Sequence, residues 1–196
     1  MQPAIYPGFT DAQRPQAADL FWQAFRDKLG PVMRPEEQAL GLLRAVADPG
    51  HAIRAEAADG TLLGLAGFKT EKGAFIGGGM GDLASAYGWP GALWRAPLLA
   101  LLERDSAPGT LLMDGIFVTP EARGQGIGTK LLSAIKAEAA RRGLVAVRLD
   151  VIDSNPRARA LYEREGFIPG DVHDLGPLRH IFGFRSATTM IWTAAA

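Results

Sequence analysis

From Leu111 to Trp192 the chain alternates apolar strand-like runs with helical ones, and this alternation restricts its fold more than any other feature. Leu111–Val118, Ala146–Ile152, Phe167-Ile168 and Ala187–Trp192 read as strands, and Gly126–Arg142 and Arg157–Glu165 read as helices. Ile127, Leu131, Ile135 and Ala139 recur at every fourth position, which lines them along one helix face. Asp153-Ser154-Asn155-Pro156 marks a turn, and Gly166 stands where a helix-terminating glycine belongs. A strand–helix–strand unit needs a crossover. The second half therefore predicts a right-handed connection and a partly parallel sheet.

The first half reads differently. Ala4–Tyr6 is a short strand, followed by a helix from Asp11 to Leu29 with Thr10 or Asp11 as its cap and Leu20, Phe21, Ala24 and Phe25 on one face. Gly30-Pro31 should end it. Pro35 occupies a first-turn position of a second helix, whose apolar set is Leu40, Leu43, Val46 and Ala47 and which stops at Asp48-Pro49-Gly50. Ala52–Ala57 and Leu62–Phe68 flank Asp59-Gly60, the signal of a two-residue hairpin turn. Lys69–Pro108 is irregular and glycine-rich, with a helical patch around Leu98–Leu102. It reads as an insertion of short helices, too small to build its own core. The whole chain, 1–196, is expected to form a single domain.

Composition excludes several classes of function. The absence of cysteine removes disulfide scaffolds, thiolate zinc sites, iron–sulfur clusters and cysteine nucleophiles, and no metal site is expected. A formal net charge of zero argues against a nucleic-acid wrapper or a coat for anionic membranes. That zero is uneven along the chain. Residues 120–165 hold nine Lys/Arg against six Asp/Glu, whereas residues 1–119 hold ten against thirteen. The N-terminus has no basic segment followed by an apolar one, and no apolar run approaches the length of a membrane span, so a soluble, cytoplasmic protein is expected.

The chemistry concentrates in Val118-Thr119-Pro120-Glu121-Ala122-Arg123-Gly124-Gln125-Gly126-Ile127-Gly128-Thr129-Lys130. A strand ends, a loop turns, and a helix begins among glycines, so successive backbone N–H groups converge with no side chains in the way. That is an anion cradle suited to a phosphate or pyrophosphate. Two common phosphate motifs fail here. A P-loop needs Lys directly after its glycine, but Thr129 separates Gly128 from Lys130. A dinucleotide fingerprint needs a third glycine where Thr129 stands.

The remaining pattern, Arg123-x-x-Gly126-x-Gly128, resembles the coenzyme-A-binding motif of the GCN5-related N-acetyltransferase (GNAT) superfamily. Asn155-Pro156-Arg157-Ala158-Arg159-Ala160-Leu161-Tyr162-Glu163-Arg164-Glu165-Gly166-Phe167 looks like the same superfamily's later motif, in which Asn, Ala and Tyr precede Gly-Phe. The resemblance is close from about Leu111 to Ile168. It implies an α/β (α+β) fold with a mixed, mostly antiparallel sheet of about six to seven strands flanked by helices, and a helical insertion before the cofactor-binding strand. It also implies acetyl-CoA as co-substrate and a small-molecule or peptide amine as acceptor. Homodimers are common among similar proteins.

Residue roles follow from the same resemblance. The amides of Gly124, Gln125, Gly126, Ile127, Gly128 and Thr129 would hold the pyrophosphate, with Arg123 adding charge or orienting the loop. Ile116, Phe117 and Val118 would border the pantetheine arm, and the Val118 N–H would polarise the thioester carbonyl. Tyr162 would hydrogen-bond the departing thiolate; its plain structural reading is a half-buried packing residue. Asn155 and Ala158 would touch the cofactor arm, although Asn155 also reads as a helix N-cap. Asp114, the one charge in its strand, shares strand parity with Ile116 and Val118; it reads as a water-mediated base or as half of a structural ion pair. His173 and His180 lie in the connection that borders the acceptor site in this superfamily, or are simply solvated. Trp22, Phe25, Trp89, Trp94 and Phe182 are candidates for the acceptor pocket, Trp22 and Phe25 being better explained as core. The rival reading of the whole chain is a non-catalytic CoA-binding sensor.

Overall fold

The computed structural model describes residues 3–101 and 107–194. The elements are β1 (Ala4–Pro7), α1 (Arg14–Met33), α2 (Glu36–Val46), β2 (Ala52–Glu56), β3 (Leu62–Thr70), β4 (Gly73–Ala74) and α3 (Met80–Ala100). They continue as β5 (Thr110–Val118), α4 (Ile127–Arg141), β6 (Ala146–Ile152), α5 (Pro156–Arg164), β7 (Ile168–Asp174), α6 (Arg179–Phe182) and β8 (Ser186–Thr193). No helix among the described residues is long and apolar enough to cross a membrane.

Local chemistry accounts for most boundaries. A capping box precedes α1: Thr10 Oγ1 accepts the Gln13 N–H at 3.3 Å, and Gln13 Oε1 accepts the Thr10 N–H at 3.1 Å. The helix then runs past its expected stop at Leu29. Pro31 removes only the donor to the Asp27 carbonyl one turn earlier, and Arg34 N–H still reaches the Gly30 carbonyl at 3.1 Å. Pro35 consequently stands at the N-cap of α2 instead of inside its first turn. Between β2 and β3 the hairpin is wider than two residues, because Ala57 N–H bonds the Thr61 carbonyl and Gly60 takes φ 87°. The insertion contributes β4 and α3, which is two short helices meeting at Gly88, where φ 69° and ψ 162° leave the helical region, in keeping with the expected short helices. The end of its expected patch, at Leu102, lies outside the described residues.

One eight-stranded sheet runs in the order β1-β2-β3-β5-β6-β8-β7, with β4 attached to β3. Among the described residues it exceeds the expected six to seven strands only through the two-residue β4, and β7 is longer than its Phe167-Ile168 start suggested. Every pairing is antiparallel except β5 with β6, the pair joined through α4. The alternation of side chains along the strands divides the core in two. Ile53, Ala66, Phe68, Leu111, Met113, Val147, Leu149 and Val151 pack under Ile127, Leu131, Ile135 and Ala139 of α4. Leu65 and Phe117 pack on the other face under Ala17, Leu20 and Phe21 of α1 and Leu43 of α2.

Phe75 ties the second face together. It is fully buried, with ring centroids 6.0, 5.8 and 6.5 Å from those of Phe9, Phe21 and Phe117. Gly67 makes room for it, since a Cβ there would lie 2.5 Å from Phe75 Cδ1. The neighbouring turn is held by His51, whose Nδ1 lies 2.6 Å from Asp48 Oδ2 and whose Nε2 lies 3.2 Å from Thr70 Oγ1. No sequence periodicity marks that triad, in which His51 and Thr70 are buried and Asp48 is half-exposed. Phe75→Ala should lower unfolding stability by about 3–5 kcal/mol in urea denaturation followed by circular dichroism, the usual cost of emptying a packed aromatic site. A loss below about 1 kcal/mol would show that the site collapses without it.

Candidate active site

The site begins where two strands part. β5 and β6 pair only through Thr110↔Ala146, Leu111↔Val147 and Leu112↔Arg148. Beyond that point β6 stays with β8 as far as Ile152 and β5 stays with β3 as far as Val118, so a gap opens between them. Thr119 N–H donates to the Leu63 carbonyl at 2.9 Å. Ladder bonds alternate in an antiparallel pair, so the preceding Val118 N–H and C=O point away from β3 and into the gap. The Val118 carbonyl accepts a hydrogen bond from Arg123 Nε at 3.2 Å.

The glycine loop closes one end of this gap. Gly124 has φ 79°, and Gly126, the N-cap of α4, has φ 75°. Both conformations are strained for any side chain, and a Cβ at either position would stand in open space. The bare concavity at the start of a 15-residue helix is therefore available to an anion, and the residues present fit the diphosphate of CoA. Arg123 is exposed, and its bond to Val118 orients the loop across the strand end. Gln125 is engaged through Nε2 with the Glu121 carbonyl at 3.1 Å.

The second motif meets the first. A Cβ on Gly128 would lie 3.2 Å from Leu161 Cδ2, so α5 packs directly against the first turn of α4. Asn155 caps α5 by accepting the Ala158 N–H at 3.1 Å, which confirms its capping reading. Tyr162 is buried in the same cluster as Ile127, with its ring 5.9 Å from Phe167, and Ile116 and Val118 pack at the edge of that cluster. Burial pushes its hydroxyl up to about 12. Phe117 instead turns its ring to the α1 side, at 5.6 Å from both Phe21 and Phe25, so only its backbone borders the gap.

Asp114 corrects an expectation. In the β3–β5 ladder Phe68 pairs with Met113 and Gly67 with Gly115, leaving Asp114 as the extra residue of a β-bulge. Alternation is broken there: Met113 and Ile116 face the α4 cluster, whereas Gly115 lies beneath Phe25 of α1. Asp114 therefore does not share a face with Ile116 and Val118. It faces α1, where burial pushes its carboxyl up to about 6 while the Lys69 and Lys28 charges pull it down. Gly115, a glycine inside an apolar strand, was the available sign of a bulge.

Sequence reasoning did not single out Lys28. Its ammonium lies 5.8 Å from the Phe25 ring centroid and 5.6 Å from that of Phe184. It lines a cavity of about 70 Å³ with Asp150 and Ile152 of β6, Leu175, Leu178, Phe182 and Phe184. Phe182 thus lines a cavity. Trp22 is core, and Phe25 packs half-buried against that core. Trp89 and Trp94 are exposed on α3, away from this cavity's lining. His173 lies on β7 and not in a loop, and His180 lies in α6; both are exposed and neither lines the cavity.

Comparison with known proteins agrees with this geometry. An acetyltransferase of Agrobacterium fabrum is 41% identical over 73 residues, covering 37% of this chain and 50% of that protein. A thialysine N-epsilon-acetyltransferase of Bos taurus is 41% identical over 56 residues, covering 29% and 33%. The chain thus spans half or less of the length of these curated relatives. A phosphinothricin acetyltransferase from Sinorhizobium meliloti, solved in complex with AcCoA, superposes with a TM-score of 0.63 at 16% identity, covering 100% of this chain and 90% of that one. The Acetyltransferase (GNAT) family profile matches residues 14–167, and so, from the parted strands to the glycine loop, the chain belongs to the GNAT family.

Proposed function

We propose that the chain transfers an acetyl group from acetyl-CoA to a primary amine, small-molecule or peptide, by direct attack in a ternary complex. The observation that carries this reading is the gap between β5 and β6, which ends at the glycine loop and has Tyr162 on one face and Asp114 on the other. The bovine relative, named for N-epsilon-acetylation of thialysine, and the AcCoA-bound Sinorhizobium structure support it. Without cysteine, no thiol of this chain is available to carry an acyl group.

Acetyl-CoA would supply a thioester carbonyl within the gap. The amides from Gly124 to Thr129 hold its diphosphate, and Arg123 fixes the loop against Val118. The Val118 N–H, directed into the gap, donates to the carbonyl oxygen as charge develops on it. An alkyl ammonium has a pKa of about 10.4, so the acceptor must lose a proton before it attacks. Asp114 takes that proton through water from the α1 side. Tyr162 donates a hydrogen bond to the departing sulfur. With its hydroxyl at about 12 and a free thiol near about 8.5, it stabilises the thiolate without surrendering its proton.

Two measurements test this reading. Calorimetry should show acetyl-CoA binding to the wild type. Gly126→Ala, which adds only backbone strain, should weaken it moderately, and Gly126→Glu, which also places a carboxylate in the cradle, should weaken it at least about tenfold more. Binding unchanged in Gly126→Glu would remove the loop from the cofactor site. In a free-thiol assay with thialysine and other primary amines, Tyr162→Phe should lower kcat about 10–100-fold with little change in acetyl-CoA affinity. An unchanged kcat would leave Tyr162 a packing residue.

A further inference from the structure

The bulge at Asp114 delivers a carboxylate to the α1 face, and the charges of Lys69 and Lys28, from two different elements, act on it there. Lys69 lies on β3, paired with Leu112 and so diagonal to the bulge. Lys28 is located by a chain of contacts. Phe25 Cζ sits 3.5 Å from where a Gly115 Cβ would be, one residue from Asp114, and the Lys28 ammonium lies 5.8 Å from the Phe25 ring. Phe184, from the connection before β8, holds the same ammonium from another side at 5.6 Å. Across the gap, Arg148 and Asp150 of β6 face the same side of the sheet, since Val147, Leu149 and Val151 face α4. Those two are tied to each other at 3.5 Å, and Asp150 also accepts a hydrogen bond from Thr189 Oγ1 at 2.7 Å.

We propose that Lys28 and Lys69 are positioning residues that keep Asp114 ionised beneath α1, so that it can receive the acceptor's proton. The inference rests on the assignment of Asp114 as the base. A carboxylate lowered into a partly dry cleft favours its neutral form, and a neutral carboxyl cannot accept a proton. Two nearby ammonium groups oppose that tendency. The aromatic rings hold the Lys28 ammonium at the cavity wall, so its field bears on Asp114 without the entropy cost of an unrestrained lysine. The sign is fixed by chemistry: removing either cation must move the Asp114 titration upward, into the neutral range. Catalysis by the base must then fade at a higher pH as acidity increases.

The test reads the carboxyl directly. Protein labelled with ¹³C at the aspartate side-chain carboxyls is titrated by NMR, and the Asp114 signal is assigned by its loss in Asp114→Asn. The wild-type signal should titrate near about 6. Lys28→Met and Lys69→Met should each raise that midpoint by about 0.5–1 unit, and Lys28→Arg and Lys69→Arg should restore it. In the thiol-release assay the acid limb should move with it, an upward shift of about one unit lowering kcat/KM about fivefold at pH 6. A midpoint unmoved in both methionine variants overturns the proposal. Full wild-type turnover by Asp114→Asn overturns it differently, by removing the base assignment on which it rests.

Discussion

β5 has β6 along its second edge only from Thr110 to Leu112, and the rest of the site depends on that limit. Past Leu112 the strand bulges while β6 keeps its antiparallel partner β8, so the two cannot stay in register. The backbone groups left along the β5 edge cannot remain unsatisfied in a buried setting. They call for an extended, hydrogen-bonding occupant, and a pantetheine arm has that form. The divergence therefore creates the slot, exposes the Val118 N–H, and leads to the helix start that we propose receives the phosphates.

The two faces of the sheet divide the chemistry. On the α4 face the surroundings are apolar, and a buried tyrosine there keeps its proton, so it can donate a hydrogen bond without transferring the proton. On the α1 face the bulge introduces a carboxylate among lysines, with an aromatic and aliphatic cavity alongside. In the proposed reaction, hydrogen-bond donation to a departing sulfur and proton removal from an entering amine would thus fall on opposite sides of one slot. Along the sequence, the basic excess lies in the segment that carries the glycine loop.

How much of this could be read in advance depended on the kind of signal. The four-residue spacing of Ile127, Leu131, Ile135 and Ala139 is a local pattern, and all four are buried as it required. The glycines of the loop were legible because positive φ and open approach leave few other residues possible. Asp114 was assigned to the wrong face because strand parity assumes an unbroken ladder, and only the pairing of β3 with β5 reveals the extra residue. Lys28 carries no periodic or motif signal; its place follows from where α1 crosses the sheet and from Phe184, which lies 156 positions further along the chain. The end of α1 was misjudged because a proline near a helix C-terminus costs one weakly held bond instead of a turn.

The central claim is that the parted strands and the glycine loop form one continuous cofactor site. Amide NMR during titration with CoA tests it most directly. The account predicts that the largest ¹H–¹⁵N shift changes fall on the amides from Gly124 to Thr129 and on Val118, while amides in α3 and β7 stay unmoved. Changes centred elsewhere, with the loop and Val118 unaffected at saturation, would contradict it.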